Sequence, residues 1–227
     1  MNKSSRYLIA AMLTALPLGA AVASPISWVD WTTPSNTGVD GQLDVNGTAV
    51  GVSFTGNYSV AQTNGGTNYW TEGTPAPYTG SALVDNAPPN SDIIELNAGG
   101  LATVTFSQPI EDPLIALVSW NSNTVDFQGT PIEILSFGPG FWGTGTPILN
   151  ATGDGFFGSG EVHGVIRLPG TFSSFSFTHT TENWHGFSVG VVGLGMGGGG
   201  GGNAPIPGVA LLLGLGLAGM AGVRRYG

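Results

Sequence analysis

Between residues 24 and 195 apolar and polar positions alternate at the period of β-strands, most clearly from Gln42 to Phe54. Leu43 and Val45 precede an Asn46-Gly47 pair, and Val50, Val52 and Phe54 follow it at every second position. Asn-Gly between two such runs marks a two-residue hairpin, so Leu43 is expected opposite Val50 and Val45 opposite Thr48. Further strands are expected over 26–31, 58–62, 92–96, 101–107, 114–120, 124–128, 131–137, 162–168, 173–178 and 187–194. They are short and separated by turn residues such as Gly99-Gly100 and Pro169-Gly170. No helical pattern competes, because glycine or proline arrives within about fifteen residues throughout and the longest gap, Leu114 to Gln128, is rich in β-branched and aromatic residues. The expected fold class is all-β: an antiparallel β-sandwich or jelly roll over residues 24–195.

Composition complicates that picture and then supports it. The 227 residues include 39 glycines and 15 prolines, a bias that by itself favours disorder. All six tryptophans nevertheless lie within 24–195, with Phe54, Phe106, Phe127, Phe137, Phe175, Phe177 and Phe187 set in the alternating runs. A disordered acidic segment lacks such residues. The region has the length of one domain and enough apolar side chains for a sizeable core. It has no cysteine, so packing must hold the fold, alone or helped by a metal.

The two ends of the chain read differently. Four of its five cations sit there: Lys3 and Arg6 at the front, Arg224 and Arg225 at the back. At the front a charged start, an apolar run from Tyr7 to Leu18 and the small residues Ala21-Val22-Ala23 form the pattern of a secretory signal peptide, expected over 1–23. An uncleaved anchor helix fits less well, since Pro17 and Gly19 interrupt the run. At the back a glycine-rich linker, 196–204, leads to an uncharged stretch from Ile206 to Val223. As a helix that stretch would span about 27 Å, enough for a thin hydrocarbon core, with Arg224 and Arg225 stopping it at the cytoplasmic face. Ala210, Gly214, Ala218 and Gly222 recur every four residues and would give it one smooth stripe for packing against another helix.

A proline pair, a short glycine- and leucine-rich span and a terminal arginine cluster resemble the PEP-CTERM sorting signal of exopolysaccharide-producing Gram-negative bacteria. The resemblance covers 205–227, with Pro205, Ile206 and Pro207 in place of the usual Pro-Glu-Pro, and Arg224 and Arg225 as the cluster. It implies export past a signal peptidase, transient anchoring by the C-terminal span, and processing by an exosortase-type membrane protease. The glycine run also resembles GlyGly-CTERM signals handled by a rhomboid-type protease. Residues 24–195 are loosely similar to the β-sandwich cargo of PEP-CTERM proteins, a likeness that implies location at the cell surface or in a biofilm matrix rather than an activity.

Charge narrows the partners. Arg167 is the single cation of the cargo, set against fourteen carboxylates, so phosphate-rich nucleic acid is excluded as a partner. The same excess keeps the domain soluble and disfavours anionic lipid. Arginine offers five donors, so Arg167 should pair with a carboxylate or with several carbonyls, the partner coming from a neighbouring strand. Acidic and amide side chains in turns, Asp40, Asp44 and Asn46 or Asp85, Asn90 and Asp92, would suit Ca²⁺ if there is a cofactor, although neither spacing is a recognised calcium loop and solvated turns rich in Asp and Asn account for the same residues; no cofactor is expected.

Catalytic motifs are missing. There is no Gly-x-Ser-x-Gly elbow, cysteine nucleophile, His-Glu-x-x-His or phosphate loop. Glycoside hydrolysis needs only two suitably spaced carboxylates, so a secreted hydrolase stays open, but Asp92 and Glu95 would point to opposite faces of one strand. His163, His179 and His185 are the only histidines for a zinc site, and His163 is expected on a polar outer strand face with Glu161 and Arg167. Two aromatic-glycine segments stand out: 137–143, containing Trp142, and 182–190, containing Trp184 and His185. Exposed rings beside polar groups suit sugars, with Trp142, Trp184 and His185 as the candidate glycan contacts; packing against the sandwich edge is the alternative. The sequence is therefore read as an exported, non-enzymatic protein of the cell surface or exopolysaccharide matrix, with a glycan-binding module and a secreted glycoside hydrolase as the competing readings.

Overall fold

The computed structural model describes residues 26–194. The signal peptide, the linker and the sorting signal expected from the sequence lie outside the described residues. Within them there are sixteen strands and no helix, hence none long and apolar enough to cross a membrane. In chain order the strands are β1 (Ser27–Trp28), β2 (Asp30–Pro34), β3 (Gly38–Val45), β4 (Thr48–Thr55), β5 (Val60–Gln62), β6 (Ile93–Leu96), β7 (Gly100–Glu111) and β8 (Leu114–Val118). They continue with β9 (Thr124–Asp126), β10 (Glu133–Phe137), β11 (Gly145–Leu149), β12 (Gly155–Gly160), β13 (Gly164–Arg167), β14 (Thr171–His179), β15 (His185–Val191) and β16 (Gly193–Leu194).

They form two antiparallel sheets. The first runs β10-β13-β8-β15-β6-β5, with β1 added to β15; the second runs β11-β12-β9-β14-β7-β4-β3-β2, with β16 added to β7. The Asn46-Gly47 hairpin forms in the expected register, Leu43 opposite Val50 and Val45 opposite Thr48. Asn46 and Gly47 have φ of 54° and 83°, the left-handed pair that a twist-matched two-residue turn demands. Asp44 Oδ1 accepts the Gly47 N–H at 2.7 Å, which fixes the turn further. Asp44 and Asn46 thus serve the turn, while Asp40 accepts a hydrogen bond from the Ser53 hydroxyl.

Between the sheets lies a core that includes Trp31, Phe54, Trp120, Phe156, Phe177 and Phe187, all fully buried. Each such side chain contributes roughly 1.5–3 kcal/mol of transfer free energy. The first sheet also has a second covered face. The long connection 63–92 folds back across it and packs Trp70, Tyr78 and Val84 on Leu114, Ala116, Val118 and Val165. Every residue of β8 and β15 is therefore buried. The second sheet keeps the inside-outside alternation of β4, Val50, Val52 and Phe54 in and Gly51, Ser53 and Thr55 out.

That second cover corrects one expectation. His163 does not lie on a polar outer face; it is buried, because Tyr78 from the long connection sits over it, with Tyr78 Oη 3.2 Å from His163 Nδ1. Asp92 is also internal, accepting the Trp31 N–H at 2.8 Å and the Ser91 hydroxyl at 2.6 Å. Burial still raises its carboxyl pKa, more than these two bonds lower it. Asp92 thereby ties β2 to the start of β6.

Arg167 meets its expected partner across the β10–β13 pairing, where it stands directly opposite Glu133. Its Nε donates to Glu133 Oε2 at 3.1 Å, Nη2 donates to the same oxygen, and Nη1 lies 3.5 Å from Asp112 Oδ2. At the same end of the first sheet Ser27 of β1 pairs with Val191, the last residue of β15.

Candidate functional site

The other end of the first sheet carries four turns: 119–123 after β8, 138–144 after β10, 161–163 before β13 and 180–184 before β15. The antiparallel order forces them together, since Val118 pairs with Gly186, and Leu117 and Phe137 both pair with Gly164. They enclose a hollow of about 300 Å³, lined by Ser119, Asn121, Trp142, Glu161, Glu182 and Trp184, with Asn183 beside them.

One wall is aromatic. Trp142 is 53% exposed, and its ring stands 6.1 Å from that of Trp184 and 4.9 Å from that of Phe141. Tyr69, from the long connection, closes the group at 4.8 Å from Trp184 and 5.0 Å from Phe141. Trp184 is half-buried against the outer core of the first sheet, so it supports the wall while Trp142 projects from it. Gly140 permits this arrangement: a Cβ there would lie 2.4 Å from His163 Cγ, so only glycine lets the 138–144 turn descend onto that buried ring.

The other wall is polar and acidic. Glu161 is anchored by the Ser119 hydroxyl on Oε2 and by Asn121 Nδ2, which donates to Oε1 at 3.1 Å. Ser119 and Ser122 both hold left-handed backbone, φ 59° and 52°, a conformation costing on the order of 1 kcal/mol at a non-glycine residue. The bend turns Ser119 toward Glu161. Burial raises the pKa of Glu182; the backbone N–H of Trp184 opposes the shift and the charge of Glu161 adds to it.

Behind Glu182 lies a buried relay. His185 Nδ1 faces Glu182 Oε2 at 3.3 Å, and neither atom has a hydrogen-bond partner. His185 Nε2 lies 3.0 Å from His179 Nδ1. Burial pushes His185 down to about 3, helped by the neighbouring His179, and burial lowers His179 as well. Because burial keeps the His185 ring neutral, its contact with Glu182 is not an ion pair. Trp120 packs on both imidazoles, its ring 4.6 Å from that of His185, and donates Nε1–H to Gly186 O at 2.8 Å.

The three residues expected to touch a glycan are thus placed unequally. Trp142 and Trp184 share the aromatic wall, but His185 is fully buried because β15 is covered on both faces, and it reaches the hollow only through Glu182. The three histidines do not converge: His163 sits under Tyr78 with Nε2 unpartnered, apart from the bonded pair His179 and His185. Among the described residues no group of three or more His, Asp or Glu is arranged to hold a metal ion. Sequence reasoning missed Ser119, Asn121 and Tyr69, which carry no motif and meet the site only through the fold. No family model, curated protein or solved structure matches this chain.

Proposed function

We propose that this chain is an exported surface or matrix protein whose sandwich binds glycan at its loop end. The observation that carries the reading is the exposed ring of Trp142, fixed by Phe141 and Trp184 beside a wall of hydroxyl, amide and carboxylate groups. An aromatic face covers the C–H face of a pyranose while polar neighbours bond its hydroxyls. The shallow, open form of the hollow suits an internal segment of a polymer better than a small metabolite. Export rests on the two terminal address patterns, and processing by an exosortase-type protease rests on the resemblance of 205–227 to a PEP-CTERM signal.

Polysaccharide co-sedimentation with the full chain tests the binding. Trp142→Ala is expected to weaken retention about five-fold or more, the order of an aromatic anchor, with little change in stability because the ring is mostly exposed. Equal retention of Trp142→Ala and the parent protein would remove the aromatic wall from the function. Export is tested in the native host by intact mass: a C-terminus between about 197 and 207 is expected, and secreted chain ending at Gly227 would remove the sorting-signal reading.

A further inference from the structure

The hollow has an unusual balance of charge for a sugar site. Glu161 and Glu182 line it together, and no cation reaches it among the described residues. Arg167 lies at the far end of β13 in its own pairing with Glu133 and Asp112. Two carboxylates side by side without a counter-charge repel each other, and desolvation sharpens the effect.

The hydrogen bonding shows the same deficit. Both oxygens of Glu161 are bonded, to Ser119 and Asn121, so this carboxylate is held in place. Glu182 Oε2 has no donor, and the group facing it, His185 Nδ1, is completely buried and equally unpartnered. Glu182 Oε2 is sealed against His185, so a ligand in the hollow meets only the part of this side chain that lines it and acts on it through charge. The aromatic wall completes the environment, since the faces of Trp142 and Trp184 attract cations as well as sugar C–H groups.

We infer that the loop end selects glycans bearing free ammonium groups, that is, amino-sugar polymers lacking N-acetyl caps, over neutral and uronate polymers. The inference rests on the glycan-binding reading above. An ammonium seated between Glu161 and Glu182 supplies donors and charge together, with the ring of its own sugar against Trp142. Uronates are rejected by the same two carboxylates. A divalent metal is the lesser candidate, because among the described residues no third acidic or histidine ligand joins the pair.

Calorimetric titration of the full chain with glucosamine oligomers, N-acetylglucosamine oligomers of equal length and oligouronates tests this. The glucosamine oligomer should bind about ten-fold tighter than its acetylated counterpart at low salt, the scale of one charge-assisted contact. That advantage should shrink at about 0.5 M salt, where the screening length is only a few ångströms. Glu161→Gln should bring the ratio of the two affinities, both measured on the variant, down to about two-fold or less. If this variant fails to fold, the salt series on the parent protein decides alone. Acetylated or uronate oligomers binding as tightly as the amine would overturn the inference and leave glycan binding standing. Failure of every oligomer and polymer to bind would overturn both. Tight binding of Ca²⁺ alone, competing with the amine, would reassign the carboxylates to a metal and also overturn it.

Discussion

Nε2 of His185 lies 3.0 Å from Nδ1 of His179, joining the first residue of β15 in one sheet to the last residue of β14 in the other. One ring donates and the other accepts, which requires at least one of them to be neutral on the facing nitrogen. Burial pushes His185 down to about 3 and His163 to about 4, and lowers His179 too. The folded protein holds these rings neutral where the unfolded chain, with ordinary values near 6.5, protonates them. Their stabilising effect is complete above about pH 6.5 and is lost as pH falls toward 4 and then 3. Urea unfolding should lose a few kcal/mol between pH 6.5 and 4. A flat profile over that range would show that the rings are solvated or charged, and His163→Phe should reduce the slope.

Trp120 backs the polar wall from within, through the His185 ring that faces Glu182. It is buried, packs on both imidazoles and donates to Gly186 O. Trp120→Ala should cost about 3–5 kcal/mol in urea unfolding. Trp120→Phe should cost about 1–3 kcal/mol, part of it from the unpaired Gly186 carbonyl.

For Arg167 and Glu133 a small number is expected despite good geometry. The guanidinium is a quarter exposed and the Glu133 carboxylate half exposed, so solvent screens the pair. A double-mutant cycle with Arg167→Met and Glu133→Gln should give a coupling of about 1 kcal/mol or less that fades in high salt. A coupling of several kcal/mol would mean that Asp112 makes the trio behave as a buried network.

At the hairpin, Asn46→Val should destabilise by about 1–2 kcal/mol, because a β-branched side chain meets the left-handed backbone poorly. Asn46→Gly should change stability much less. Thermal unfolding of the two variants side by side separates backbone strain from loss of the amide.

These residues also mark what the sequence makes legible. The β3–β4 hairpin reads directly because one face meets the core and the other meets water, leaving the alternation intact. The Arg167 pairing reads from charge scarcity alone. His163 misleads because the cover from Tyr78 is supplied by a connection with no strand pattern, and no local period announces it. Strands β11 and β12 escape notice for a related reason: Gly145, Pro147, Gly155, Gly158 and Gly160 break their alternation. Gly158 is needed because a Cβ would lie 1.8 Å from the Trp120 carbonyl oxygen. At the site, the aromatic segments are visible in sequence, whereas the Ser119 and Asn121 clasp on Glu161 depends on β8 and β13 being neighbours.

The pairing of Ser27 with Val191 gives the domain a direction. The described chain enters and leaves beside one pole, the pole of Arg167, and the aromatic hollow opens at the other, one strand-length of β15 away. Anything that grips the domain beside Ile26 or Leu194 therefore holds it like a stem, with Trp142 presented outward. A solid support coupled beside Ile26 or Leu194 should leave the hollow free to meet polymer, whereas coupling through the carboxylates of the loop end should blind it.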